Sequence, residues 1–307
     1  MSKRLYGLIV PLITPFKEDL SLDIDALKWL VEYLVKNNVD AIFPVSTTGE
    51  FPSLTNSEKI KIVEVVREYT PTNIKVIAGI SSTSLYEAVD LALRFKDLGV
   101  DSLISTPPYY YKGNLDGVKR YFRMILDRIE IPLILYTIPQ YTGIDIPPEL
   151  IKELVMEYDD LVGLKATVDS MIYFRKIIQL VKPIKKDFNV YSGIDEYILP
   201  LILIGGDGAV SALAHITPNL HKKMIEALFN GELAKANELY NIILDIKRIY
   251  DISKSVSGAI KLTLESFNTP IKRFVRPPLT DENLDNIDII RSILSRYRDK
   301  IVLYKEG

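Results

Sequence analysis

Residues 133–165 read LILYTIPQYTGIDIPPELIKELVMEYDDLVGLK. Two short apolar segments, 133–136 and 161–165, bracket a stretch whose apolar residues fall at helical spacing. A buried strand that leads through a helix to a second buried strand is the repeating unit of a parallel sheet. Outward from this stretch, the same alternation supplies candidate strands at 8–11, 41–45, 75–79 and 102–106 on one side and at 189–192 and 208–211 on the other. Eight strands suit a closed barrel, so the predicted fold class is α/β, a (β/α)8 TIM barrel. From 219 onward the pattern is helical only, broken at Gly258, around Pro270 and at Arg276-Pro277-Pro278. The expected organisation is a barrel over 1–218 with a C-terminal helical extension over 219–307 packed on it.

Local signals agree with that reading. Thr55 with Glu58, and Ser84 with Glu87, have the spacing of capping boxes, in which hydroxyl and carboxylate each satisfy an exposed backbone donor. Gly205-Gly206-Asp207-Gly208 lacks the Lys-Ser/Thr of a phosphate loop and is read as a place where backbone approaches closely at the eighth strand. The run Lys182, Lys185, Lys186, interrupted by Pro183, is read as a solvated turn.

Composition excludes several function classes. With 307 residues and 48% hydrophobic content the chain can bury a barrel-sized core. Basic and acidic residues number 38 and 40, which leaves no strong field for nucleic acid or an anionic membrane. The absence of cysteine removes disulfides, thiolate chemistry and cysteine-ligated metal centres. No apolar run approaches the roughly 20 residues that span a bilayer. The start MSKRLYGLIVPLITPF reaches Pro11 after a few apolar residues and has no small-residue cleavage site, so a signal peptide is not expected. A soluble cytoplasmic protein without nucleic-acid or membrane partners is the expectation.

Chemistry beside a carbonyl needs an electron sink, either a metal ion or an iminium formed with lysine. The only histidines, His215 and His221, do not have the i, i+4 spacing of a familiar metal pair. No metal site is expected, and both are read as structural or surface residues. Lys165 ends the apolar segment LVGLK. One reading leaves its ammonium in solvent just past the strand. The other places it among catalytic groups at the carboxyl ends of barrel strands, where apolar surroundings would lower its pKa and make the amine nucleophilic. Hydroxyl groups end three other strands, at Ser46-Thr47-Thr48-Gly49-Glu50, at Tyr109-Tyr110-Tyr111 and at Tyr136. Singly each is ordinary turn chemistry or packing in a chain with 18 tyrosines. Together on the face of Lys165 they would relay protons, with turn N–H groups to hold a carboxylate.

In order along the chain, PLITPF near the start, STTGE at 46–50, PYYYKG at 108–113, LYTIPQYTG at 135–143, GLKAT at 163–167 and YSGID at 191–195 resemble the dihydrodipicolinate synthase and N-acetylneuraminate lyase family. The resemblance spans nearly the whole chain and implies a (β/α)8 barrel with a helical extension, usually assembled as a homotetramer. It implies that Lys165 forms a Schiff base with pyruvate or a related 2-oxo acid, so that the covalent imine serves and no cofactor is needed. Tyr136 would pass protons at the imine and the reacting alkoxide. Thr47 would connect Tyr136 to Tyr110, the latter reaching across a subunit interface. Thr48 and the turn N–H groups, with Gly49, would hold the carboxylate, and Gly193 and Val210 would line the pocket.

Two departures bear on the substrate. Tyr141 stands where dihydrodipicolinate synthases usually carry an arginine that grips the carboxylate of aspartate semialdehyde, and a phenol offers no charged bidentate fork. Lys165-Ala166-Thr167 resembles the lysine-x-threonine segment of archaeal 2-keto-3-deoxygluconate aldolases, in which Thr167 would meet substrate hydroxyls, although Ala214 falls where those aldolases tend to offer serine. The expected activity is a class I aldolase that reversibly cleaves a 2-keto-3-deoxy sugar acid to pyruvate and an aldehyde. The alternatives are a synthase that condenses pyruvate with aspartate semialdehyde, and a non-catalytic barrel that binds a 2-oxo acid.

Overall fold

All eight apolar segments form strands in the computed structural model, which describes residues 5–306. They are β1 (Gly7–Pro11), β2 (Ala41–Phe43), β3 (Lys75–Gly79), β4 (Ser102–Ser105), β5 (Leu133–Thr137), β6 (Leu161–Ala166), β7 (Asn189–Ser192) and β8 (Gly208–Val210). They close a parallel barrel in sequence order, β1-β2-β3-β4-β5-β6-β7-β8, with helices between the strands, which is a TIM barrel. Every residue of β1, β5, β6 and β7 is buried, because barrel packing covers one side of each strand and helices cover the other. That double burial explains why these segments read as continuous apolar runs rather than as an alternation.

By compactness the described chain falls into two units, one built from Ile77–Val210 with the start of the chain through Gly7, the other from Leu8–Val76 with Ser211–Gly307. In the first, β5 and β6 pair with Tyr136 opposite Lys165, and β6 and β7 pair with Lys165 opposite Tyr191. Gly208 has φ +155°, and a Cβ there would lie 2.0 Å from the Gly7 carbonyl oxygen. The glycine cluster therefore permits close backbone approach, as the sequence predicts. The turn at 182–186 is present and Lys186 is exposed, but two of its lysines are not solvated as expected: Lys182 Nζ lies 2.6 Å from the fully buried Asp207 carboxylate, and Lys185 donates to the carbonyls of Asp159 and Leu161. Asp207 also accepts the Val190 N–H at 2.8 Å, so these lysines tie helix to strand.

The two predicted caps differ. At the helix Asn56–Tyr69, Thr55 and Glu58 form the full reciprocal box. At Leu85–Asp97, Ser84 accepts the Glu87 N–H, but the Glu87 carboxylate takes the Ser82 hydroxyl at 2.7 Å instead of returning to Ser84. The Ser84 N–H donates to Ser82 Oγ, so a neighbouring serine substitutes for half of the box.

In the second unit the elements after residue 210 are helical, including Pro218–Phe229, Leu233–Lys247, Val256–Ser266 and Asn286–Ser295. Irregular chain separates the last two, where breaks around Pro270 and at 276–278 are expected. The break predicted at Gly258 is not there: Gly258 lies in the first turn of Val256–Ser266, and its N–H is the one that Ser255 caps at 3.0 Å. Its lack of a side chain answers a packing need, since a Cβ would sit 2.6 Å from Glu282 Oε1. No helix among the described residues is long and apolar enough to cross a membrane.

Candidate active site

Lys165 occupies the carboxyl end of β6 and is 4% exposed. Its side chain runs alongside Tyr136, with Nζ 3.9 Å from the centroid of that ring. Burial pushes the ammonium from the usual 10.5 down to about 7, because the charged form loses its hydration. At neutral pH a large fraction of this amine is therefore unprotonated and nucleophilic, whereas an ordinary lysine is almost wholly protonated. The structure decides between the two sequence readings in favour of the buried one.

Strand pairing continues past the ends of β6 and β7 and fixes the neighbours of Lys165. The Thr167 N–H donates to the Thr137 carbonyl at 2.9 Å, and the Gly193 N–H donates to the Ala166 carbonyl at 2.9 Å. Thr167 Oγ1 and the Tyr136 phenol share a hydrogen bond of 3.2 Å. A Cβ on Gly193 would come within 2.2 Å of Thr167 Oγ1 and 3.1 Å of Lys165 Cε, so only glycine leaves room for this group. Tyr136, Lys165, Thr167 and Gly193 are thus brought together. The contact between Tyr136 and Thr167 is absent from the sequence reading, which gave Thr167 to the substrate.

The other sequence-predicted residues of this unit differ in their exposure. Val210 ends β8 and is buried. Tyr110 is 88% exposed with φ +83°, and its ring meets that of Tyr111, edge to face at 5.3 Å. Within the chain, Tyr110 is therefore not gathered onto Tyr136. Tyr141, in the short helix Pro139–Thr142, is also exposed.

Thr47, Thr48 and Gly49 belong to the second unit, in the turn after β2. Ser46 Oγ donates to the Leu12 carbonyl and accepts the Gly49 N–H, while the Glu50 N–H reaches the Thr47 carbonyl at 3.1 Å. Thr14 Oγ1 donates to the Gly49 carbonyl at 2.7 Å, and Ser257 Oγ donates to the Thr48 carbonyl at 2.8 Å. A Cβ on Gly49 would lie 2.5 Å from the Leu12 carbonyl oxygen, so this turn also requires glycine. The N–H groups and hydroxyls of Thr47 and Thr48 have no partner among the described residues. Adjacent open donors in a fixed turn are what a carboxylate-binding nest needs.

Both histidines are buried and hydrogen-bonded within the packing. His215 is fully buried, takes the Ile13 N–H on Nε2 and contacts the Ala212 carbonyl through Nδ1, and burial drives its pKa down to about 4. His221 is equally buried, between Ser211 and Thr217. Among the described residues no group of three or more histidine, aspartate or glutamate side chains could hold a metal ion.

The sequence pattern of the Dihydrodipicolinate synthetase family matches residues 4–297. The chain belongs to that family. It is an enzyme, a lyase. An uncharacterized DapA-like lyase of Thermofilum pendens is 43% identical, over 92% of this chain and 94% of that one. A 4-hydroxy-tetrahydrodipicolinate synthase of Chlorobium phaeobacteroides is 33% identical, over 94% and 96%. A probable 2-dehydro-3-deoxy-D-pentonate aldolase, YjhH of Escherichia coli K12, is 30% identical, over 95% and 97%. Among solved structures, YagE of Escherichia coli K12, a prophage protein of the dihydrodipicolinic acid synthase family in complex with pyruvate, superposes with a TM-score of 0.91 at 28% identity, covering 95% of this chain and 98% of YagE.

Proposed function

We propose that this member of the dihydrodipicolinate synthetase family is a class I aldolase that reversibly cleaves a 2-keto-3-deoxy sugar acid, such as 2-keto-3-deoxygluconate, to pyruvate and an aldehyde. The observation that carries the reading is Lys165, buried at a strand end with its pKa lowered to about 7 and its Nζ over the Tyr136 ring. The neutral amine adds to the C2 carbonyl, and loss of water leaves an iminium. Tyr136 takes the proton of the C4 hydroxyl; the C3–C4 bond breaks, its electron pair flows to the iminium nitrogen and the aldehyde departs. The resulting enamine takes a proton at C3, and water releases pyruvate and regenerates Lys165. No metal or organic cofactor enters these steps.

The remaining roles are proposed on the family resemblance: Thr47 and Tyr110 as partners in a hydroxyl relay, Thr48 and Gly49 as the holders of the carboxylate, Gly193 and Val210 as lining. The exposed Tyr110, in a backbone conformation that few non-glycine residues adopt, supports a role for it in a neighbouring subunit of a homotetramer. Light scattering on the purified protein tests that assembly. Tyr141 and Thr167 support a sugar acid over aspartate semialdehyde, because a phenol cannot supply the charged fork for a second carboxylate.

Borohydride reduction in the presence of pyruvate should attach a three-carbon adduct to the peptide carrying Lys165. An adduct elsewhere, or none, would sink the imine. The synthase reading keeps some support from the Chlorobium phaeobacteroides relative. Parallel assays with glyceraldehyde and with aspartate semialdehyde separate the two, and a strong preference for the semialdehyde would reverse the assignment.

A further inference from the structure

The turn that carries Thr47 and Thr48 is gripped from behind by a buried ion pair. Glu50 is 3% exposed and has φ +58°, a left-handed conformation that costs energy for a residue with a side chain. Both of its carboxylate oxygens are engaged: Oε1 by Lys261 Nζ at 2.6 Å and Oε2 by the Arg276 N–H at 2.8 Å. Lys261 has no exposed surface, donates also to the Phe274 carbonyl at 2.7 Å, and lies 4.3 Å from the centroid of the Phe16 ring.

Ser257 and Lys261 stand four residues apart on the helix Val256–Ser266, so they share one face. From that face Ser257 holds the Thr48 carbonyl at 2.8 Å while Lys261 holds Glu50. The helix is itself pinned at its start, where the Glu282 carboxylate accepts the N–H groups of Lys254 and Ser255. With the carbonyls of Thr48 and Gly49 turned to Ser257 and Thr14, the neighbouring N–H groups of Thr47 and Thr48 are left open. A fully buried ion pair contributes little stability over well-packed apolar side chains, so its best-attested use is to fix one local geometry.

We propose that Lys261, Glu50 and Ser257 are positioning residues that set the Thr47–Thr48 turn in the shape that receives a substrate carboxylate. This rests on the reading that the turn holds the carboxylate of pyruvate. None of the three touches substrate; they act through the backbone they hold.

The test measures the pyruvate concentration that gives half-maximal borohydride trapping on Lys165, at a temperature where each variant retains the parental circular dichroism spectrum. Ser257→Ala should raise it about threefold, the scale of one lost hydrogen bond, and Lys261→Met at least about tenfold, the scale of a misplaced binding group. Maximal trapping should be preserved in both, and Lys261→Arg should recover part of the loss. Thr48→Val provides the control on the underlying reading. If Thr48→Val raises the half-saturating concentration while folded Ser257→Ala and Lys261→Met do not, the positioning role is wrong. If Thr48→Val also leaves it unchanged, the carboxylate reading of the turn falls, and the positioning role with it. Should Lys261→Met fail to fold, Ser257→Ala decides alone.

Discussion

Lys165 and Lys261 are both withdrawn from solvent, at 4% and 0% exposure, and their surroundings make them different groups. At Lys165, burial acts against the charge and brings the pKa to about 7, where a lysine can serve as a nucleophile. At Lys261, burial also lowers the pKa, to about 8, but the Glu50 carboxylate opposes the shift and two acceptors occupy its N–H groups. One lysine is buried beside an aromatic ring, the other against a carboxylate and a carbonyl. Burial alone therefore does not identify a catalytic lysine; the charge and hydrogen-bonding capacity of its neighbours do.

The contrast is sharpest in paired Lys→Met variants. Lys165→Met should lower turnover by more than about 1,000-fold, because the covalent step has no substitute. Its melting temperature at pH 7 should match or exceed that of the parent. The sign follows from the depressed pKa: between about 7 and the ordinary 10.5 the unfolded chain binds a proton that the folded chain releases, a penalty on folding that methionine lacks. Lys261→Met should do the reverse to stability, lowering it by about 3–5 kcal/mol by stranding a buried carboxylate. Urea titration measures the difference, and equal stability changes in the two variants would erase the distinction. A Glu50→Gln/Lys261→Met double variant should regain much of the loss.

Next in size is a pH effect. The rate of imine trapping at Lys165 should rise with pH through a midpoint near 7 and level off above it, falling about tenfold per unit on the acid side. A midpoint near 10 would mean that the lysine is solvated. The smallest effect is expected for Thr167→Val, which removes the partner of the Tyr136 phenol while keeping the β-branched shape. A loss of about two- to tenfold in the cleavage step, with pyruvate trapping unchanged, corresponds to one hydrogen bond. A loss confined to KM for the sugar acid would mean that Thr167 serves the substrate rather than Tyr136.

The eight strands were legible because double burial leaves uninterrupted apolar runs in the sequence, and their observed bounds differ from expectation by at most two residues at an end. Lys165 and Tyr136 were legible as polar groups closing such runs. The Thr55–Glu58 box was legible because both halves lie within one turn of chain. The Ser84 box failed because a third residue, Ser82, competes for the same carboxylate. Gly258 misled for a related reason: glycine weakens a helix on propensity, yet here it admits Glu282, a residue 24 positions later in the chain.

Sequence by itself determined the order of elements, the type of sheet and the candidate lysine, Lys165, since these depend on local periodicity and on the chemistry of single side chains. Tertiary structure decided what each buried polar group is for. The approach of Lys261 to Glu50, of Tyr136 to Thr167 and of Lys182 to Asp207 joins residues 211, 31 and 25 positions apart, and no periodicity encodes such meetings. Electrostatic environment is a property of position in space, so the same lysine code becomes a group of lowered pKa, a buried ion-pair partner or a strand tie only once the chain is folded.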